Sequence, residues 1–295
     1  MSRLLLLLAL ALPCAAQALE VVASIRPLAL IADAVTGDPG QVRQLVPNGA
    51  SSHEYALKPS DRALLARADL VLWVGPVHEH FLPGALRGRP VLTAQDLPGV
   101  QRLPSRRLSD GSAIPGSTDP HLWLSPDNAA AIARALAERM AAMDAAHAER
   151  YRRNAEALAG RLQLQKAELL ARFRPLQSRP LLAYHDAWHY FDHAMGLNFR
   201  GSLTLEPEHK PGAQHVLLMA RRVQQEHIGC LLAEPGADTG LARRIFGTEA
   251  FRMAAVDELF ATTPRGAQGY ESALAGMAAE IERCLGGSRP GAAQH

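Results

Sequence analysis

The sequence predicts an α/β protein: two halves, each built on a parallel β-sheet, joined by one long helix, with a cleft between them. Three observations predict it. Short, continuously apolar runs such as Leu70-Val71-Leu72-Trp73-Val74 and Cys230-Leu231-Leu232-Ala233 read as strands buried on both faces. Such runs alternate with helical segments on both sides of a stretch, 146–173, whose apolar residues keep helical spacing. Finally, His53, His185 and Asp257 fall just after expected strands, where open α/β sheets hold their ligands.

The elements follow in order. Glu20 to Ile25 is a β-branched strand run, and Pro27 to Val35 forms a helix. A second strand, Gln41 to Leu45, leads into the Pro47-Asn48-Gly49 turn. Ser60 is placed to N-cap a helix running to Ala68, with Asp61 in the first turn where the dipole favours negative charge. The strand Leu70 to Val74 ends at Gly75-Pro76, and Pro90 to Leu92 adds another. Residues 99–120, rich in Arg, Ser, Pro and Gly, read as an exposed, mobile loop.

Ser125-Pro126 then opens a helix in the favoured cap-then-proline order. Asp144 caps a longer one from Ala146 to Phe173, with Tyr151, Leu158, Leu162, Leu169 and Phe173 on one face. That helix would span about 42 Å, a beam between two domains. Beyond Pro180 the alternation resumes: strand Leu181 to Tyr184, helix Trp188 to Met195, strand Cys230 to Ala233, helix Gly240 to Phe246, strand Arg252 to Val256 and helix Gln268 to Leu285. The expected domains are therefore 19–143 and 179–295, with 144–178 as the linker helix.

Residues 1–18 read as a cleaved secretory signal. Arg3 is followed by an apolar run from Leu4 to Leu12, broken by Pro13, and Ala16-Gln17-Ala18 is a small-x-small cleavage site. The run is about half the length of a spanning helix. Cys14 raises a lipoprotein alternative, against which stand Pro13 and the better site at Ala18. The expected mature chain has 277 residues (295 minus 18), enough for two cores. Its 30 basic residues (31 minus Arg3) balance 29 acidic ones, which gives no reason to invoke nucleic acid or an anionic membrane. Aromatic residues make up only 5%, against a stacking platform for sugars or bases. Cys230 and Cys284 remain, most simply as a disulfide in an exported chain. A pair of metal thiolates is the alternative, though the spacing matches no zinc–cysteine pattern.

Three histidines occupy loop contexts suited to one metal ion: Ser52-His53-Glu54, Pro120-His121-Leu122 and Tyr184-His185-Asp186. Neutral imidazole is the commonest protein ligand for zinc, and ligands spread from 53 to 185 converge only through the fold. His78-Glu79-His80 could bind a second metal through histidines at i and i+2 but reads as an exposed loop. His189 and His193 share a helix face at i and i+4, without the glutamate directly after His189 that a zincin requires. Glu54 is a weaker candidate for a carboxylate beside the site.

The segment from Gly49-Ala50-Ser51-Ser52-His53-Glu54-Tyr55 through Lys58-Pro59-Ser60-Asp61, with Ala68-Asp69-Leu70-Val71 and Trp73-Val74-Gly75-Pro76, resembles the first domain of the zinc-uptake ABC transporter solute-binding proteins, the metal-binding cluster A-I group. The resemblance continues through Thr118-Asp119-Pro120-His121-Leu122-Trp123, Tyr184-His185-Asp186-Ala187-Trp188, Glu206-Pro207-Glu208, Pro211-Gly212-Ala213-Gln214, Ala233-Glu234-Pro235 and Val256-Asp257. It covers nearly the whole mature chain in order. It implies two α/β domains bridged by a long helix, a zinc ion in the cleft, and His53, His121 and His185 as ligands. Asp257 matches an aspartate that completes the site in some members, where others use water or glutamate. Cys230 and Cys284 match a disulfide of zinc-binding relatives.

The chain departs from that pattern in two places. Where many zinc-specific relatives carry a long acidic, histidine-rich loop, residues 99–120 are short and basic and hold no histidine. Val256-Asp257-Glu258-Leu259 replaces the more usual Asp-Pro-Leu-Gly turn. The expectation is a monomeric periplasmic carrier that hands Zn²⁺ to an ABC permease with its ATPase; a periplasmic metallochaperone is a further partner class. A manganese or iron carrier of the same build is the alternative. Manganese relatives place a carboxylate where His185 stands, and three imidazoles suit zinc better. A secreted zinc hydrolase is the contrasting class, but no general base is placed by motif, and there is neither His-Glu-x-x-His nor a nucleophile elbow.

Overall fold

A computed structural model of the chain describes residues 19–204, 211–246 and 252–287. The expected signal at 1–18 and the Glu206-Pro207-Glu208 motif lie outside them. The first lobe contains β1 (Val21–Ala23), α1 (Arg26–Thr36), β2 (Val42–Gln44), α2 (Pro59–Arg67), β3 (Leu70–Trp73), β4 (Val91–Thr93) and α3 (Pro126–Met143). The long helix α4 (Ala148–Phe173) leads to the second lobe: β5 (Pro180–His185), α5 (His189–Met195), β6 (Asn198–Thr204), α6 (Ala213–Gln225), β7 (Cys230–Ala233), α7 (Gly240–Phe246), β8 (Arg252–Ala255) and α8 (Gly269–Gly286).

Among the described residues each lobe has a four-stranded sheet, ordered β2-β1-β3-β4 and β6-β5-β7-β8, and every pairing is parallel. Parallel sheets need cover on both faces, and the sequence supplies it: β3 and β7 are buried at every residue. In both sheets the order reverses beside the first strand of the lobe, β1 or β5. The crevice at such a reversal, outside the carboxyl ends of the strands, is where open α/β sheets hold ligands.

Helix α4 bridges the lobes with 26 residues, about 39 Å. Its inward face is Tyr151, Ala155, Leu158, Ala159, Leu162, Leu169 and Phe173. These join a continuous apolar core running from Leu28 and Ile31 of α1 to Phe191 of α5 and Tyr270 of α8. Asp33, fully buried on α1, pairs with Arg265 ahead of α8, so the end of the chain is tied back to the first lobe. Cys230 and Cys284 form a disulfide between β7 and α8, with their Cα atoms 5.5 Å apart. No helix among the described residues is long and apolar enough to cross a membrane.

Three local readings need correction. Helix α2 begins at Pro59, and its cap position is Lys58 rather than Ser60: the Lys58 amide donates to Asp61 Oδ2 at 2.8 Å. Proline at the first helical position has no amide to satisfy and a pre-set φ, which fixes the start one residue earlier. Asp144 does not cap α4; its carboxylate accepts from Tyr151 Oη at 2.8 Å and pairs with His147.

The third correction concerns residues 99–120, which are docked against the second lobe. Arg106 is only 9% exposed, its Nε donating to Asp186 Oδ2 at 2.8 Å and its Nη2 to Asp192 Oδ2 at 2.9 Å. The guanidinium carbon lies 3.4 Å from the Phe199 ring centre. The Ser202 amide donates to the Leu108 carbonyl at 3.0 Å, extending contact beyond β6. Gly201 permits this approach: its φ is +136°, and a Cβ there would lie 2.4 Å from the Leu108 carbonyl oxygen. The loop's composition is that of a surface segment, but Arg106 is buried because two carboxylates some 80 residues further on pair with it.

Candidate metal centre

Four histidine rings gather where the carboxyl ends of the two sheets face each other. His53 sits in the loop after β2, where Ser51 Oγ accepts from the amides of His53 (3.2 Å) and Glu54 (3.0 Å). His121 closes the docked loop 99–120, and His185 is the last residue of β5. Ring centres lie 5.5 Å apart for His53–His121, 5.5 Å for His53–His185 and 5.0 Å for His121–His185. These three line an open cleft of about 740 Å³, its solvent included, together with Asp119, Arg106 and Val77.

The fourth ring is His78, in the turn after β3. The sequence predicts an exposed loop here, yet His78 and Glu79 are fully buried and only His80 is exposed. The cause is Glu79: its carboxylate accepts from the amides of Val74 (3.1 Å) and Gly75 (2.9 Å) and from the Ser24 hydroxyl at the end of β1. That folds the turn inward and carries the neighbouring imidazole with it. His78 lies 4.4 Å from His53 and 5.8 Å from His121, centre to centre, and packs on Trp123 at 5.0 Å. Donor atoms of His53, His78 and His121 all lie within 4.8 Å of one another. His78 comes shortly after the buried apolar run Leu70 to Val74, the one sequence signal that it offers.

Carboxylates set the ring orientations. His121 Nδ1 is 2.9 Å from Asp119 Oδ1, and His185 Nδ1 is 2.6 Å from Glu234 Oε1. Since an ionised carboxylate only accepts, each Nδ1 carries the proton and each Nε2 keeps its lone pair for a cation. His121 Nε2 is indeed buried without a hydrogen-bond partner, as are both nitrogens of His78. Asp119 is held further by His189 Nδ1 at 3.3 Å, while the Tyr190 hydroxyl donates to its backbone carbonyl at 2.9 Å. His189 thus acts through Asp119, whereas His193 is exposed.

Burial, reinforced by the neighbouring His121 and His185, lowers the His53 pKa to about 2. Burial likewise pushes His78 well below the ordinary histidine value. His185 goes the other way: burial opposes its charge, but the Glu234 bond outweighs that and raises it. Asp119 is held below the usual carboxylate range, burial being outweighed by its bond to His121. At neutral pH, His53 and His78 are therefore neutral donors among buried carboxylates, the combination a soft-to-borderline divalent cation requires.

Asp257 takes a different position. Its Oδ1 accepts from the Leu259 amide at 3.2 Å and its Oδ2 from the Thr262 amide at 3.4 Å, so the carboxylate is engaged in its own turn. The adjacent Glu258 is buried instead, and Trp123 Nε1 donates to its backbone carbonyl at 2.8 Å, linking the lobes. Glu54 is exposed.

Two α/β lobes with imidazoles converging between them define a two-lobed binding protein whose cleft is built for a metal cation. The family model described as zinc-uptake complex component A, periplasmic, matches residues 21–284, and the chain belongs to that family. It is similar to the high-affinity zinc uptake system protein ZnuA of Brucella abortus, 27% identical over 90% of this chain and 91% of that one. The ZnuA of Haemophilus ducreyi is 29% identical over 90% and 93%. Among solved structures, a zinc-bound ZnuA with residues 138–173 of its own numbering deleted shares the fold at a TM-score of 0.79. It is 22% identical over 92% of this chain and 100% of that one.

Proposed function

We propose that the chain captures one Zn²⁺ as cargo in the cleft and delivers it to an ABC permease with its ATPase on the periplasmic side of the inner membrane. His53, His121 and His185 are the ligands proposed from the sequence. The observation that carries the reading is the convergence of these rings, two of them oriented through Nδ1 by buried carboxylates. A carboxylate–histidine–metal relay of that kind raises ligand basicity and fixes the tautomer. The nitrogen-rich donor set favours zinc over manganese, which prefers oxygen. Because His185 belongs to the second lobe and His53 and His121 to the first, a small separation of the lobes removes a ligand and releases the ion.

Chelator-competition binding with zinc and manganese, on the metal-stripped chain 19–295, tests the reading. One tight zinc site, with manganese weaker by orders of magnitude and zinc binding lost or much weakened in His185→Ala, is the expected result. Manganese binding as tight as zinc would overturn the metal assignment.

A further inference from the structure

We propose that His78 is a fourth protein ligand to the cargo ion, so that the site closes on four imidazoles: His53, His78 and His121 from the first lobe and His185 from the second. This rests on the reading of the cleft as a zinc site and names a ligand that the sequence motifs do not. Four observations carry it. His78 is fully buried, and neither ring nitrogen has a hydrogen-bond partner. A buried polar group left unpaired is destabilising, so native structures rarely keep one without a use for it.

Geometry supplies that use. The donor atoms of His78, His53 and His121 already lie within 4.8 Å of one another. Tetrahedral zinc, with Zn–N bonds near 2.0–2.1 Å, holds its nitrogens about 3.3 Å apart, so a contraction of roughly an ångström or two assembles the three. The position is also built rather than incidental. Glu79 anchors the turn through two backbone amides and the Ser24 hydroxyl, at the carboxyl ends of the neighbouring strands β1 and β3. Trp123 packs against the rings of both His78 and His121, at 5.0 and 5.3 Å, and shields that side of the site.

The carboxylate expected in the fourth place is occupied elsewhere, since Asp257 accepts from the Leu259 and Thr262 amides. A site closed by four nitrogens keeps no open position for a reacting water, the condition of a structural or carrier site rather than a catalytic one. It also places three ligands on one lobe, so His185 alone leaves when the lobes part. Parting the lobes lowers the coordination from four imidazoles to three, which begins the release.

The test combines zinc-edge X-ray absorption on the full mature chain, loaded with one equivalent of zinc, with chelator competition on His78→Met. Methionine fills the buried slot without an imidazole. The expected result is four nitrogen ligands with imidazole scattering in the unmodified protein and three in the variant. Zinc affinity should fall by roughly 100-fold or more, at least the cost of losing an outer partner of a metal ligand. The unfolding temperature of the metal-free variant should stay near that of the parent. Three imidazoles in both proteins, or unchanged affinity, would reduce His78 to a packing residue and leave the zinc reading intact. If the variant fails to fold, the imidazole count of the unmodified protein decides alone. No tight zinc binding by the unmodified protein would overturn the cargo reading itself, and the fourth ligand with it.

Discussion

Glu234 and His185 meet at 2.6 Å at the carboxyl ends of two paired strands, β7 and β5. The pair holds the His185 proton on Nδ1 and presents Nε2 to the cleft. Replacing Glu234 with glutamine leaves a neutral partner that neither enforces this tautomer nor raises imidazole basicity. Zinc affinity is expected to fall about 10- to 100-fold. The same change withdraws the bond that raises His185, so the pH at which protons compete with zinc should move down. Chelator competition between pH 5.5 and 8 measures both effects, and an unshifted pH profile would show that Glu234 does not govern His185.

Arg106 is the second control point. Its guanidinium is buried between Asp186 and Asp192, of which Asp186 follows His185 directly. Arg106→Met leaves two carboxylates without a counter-charge in a buried setting, which costs about 3–5 kcal/mol. Denaturant unfolding of the metal-free protein should show a loss of that size. A loss under about 1 kcal/mol, the range of exposed pairs, would mean that the loop is not clamped as described.

Strands β3 and β7 were legible because every residue in them is apolar, as burial on both faces demands. Strand β6 was not: Asn-Phe-Arg-Gly-Ser-Leu-Thr mixes polarity and carries a glycine, because its first half lies beneath the docked loop rather than in the core. The register of that loop depends on Arg106 finding Asp186 and Asp192, a contact between residues too far apart for local pattern to show. His53, His121 and His185 stood out through their flanking motifs and do share one cleft. His78 did not stand out, because its burial is caused by Glu79 capping the end of β3, and a carboxylate beside two histidines otherwise looks like solvated surface. Asp257 and Glu258 show the same limit, since a one-residue difference at the end of a strand decides which side chain turns inward.

The Cys230–Cys284 bridge joins β7 to α8 across a sequence separation of 54 residues. In the chain-entropy model, closing such a loop stabilises the fold by about 4 kcal/mol. The double variant Cys230→Ser/Cys284→Ser should therefore unfold at distinctly lower denaturant, and reductant should lower the unmodified protein towards it. Cys230 begins the strand that Glu234 follows, so it lies at the far end of β7 from the cleft. Zinc affinity of the folded protein at 25 °C is expected to be unchanged. A large loss of affinity alongside the loss of stability would mean that the bridge positions Glu234 as well.

Glu258 makes the stability of the metal-free protein depend on pH in a direction that can be checked. Burial, and then the nearby Glu234, pushes its carboxyl up to about 8 from an ordinary value of 4.5. Its Oε2 is buried without a hydrogen-bond partner. Between those two values the folded protein keeps a proton that the unfolded chain gives up. The unfolded state then binds fewer protons, and stability falls as pH rises through the window. A glutamine at this position stays neutral throughout and removes that dependence. Glu258→Gln should therefore gain on the unmodified protein in unfolding temperature between pH 5 and pH 8. His185 interacts with the Glu258 charge and titrates in both proteins, so the comparison at each pH reads the carboxyl together with its effect on His185. The measurement is thermal unfolding in chelator at a series of pH values. A constant difference across the series would mean that Glu258 is ionised in the folded protein, its charge already balanced within the cleft.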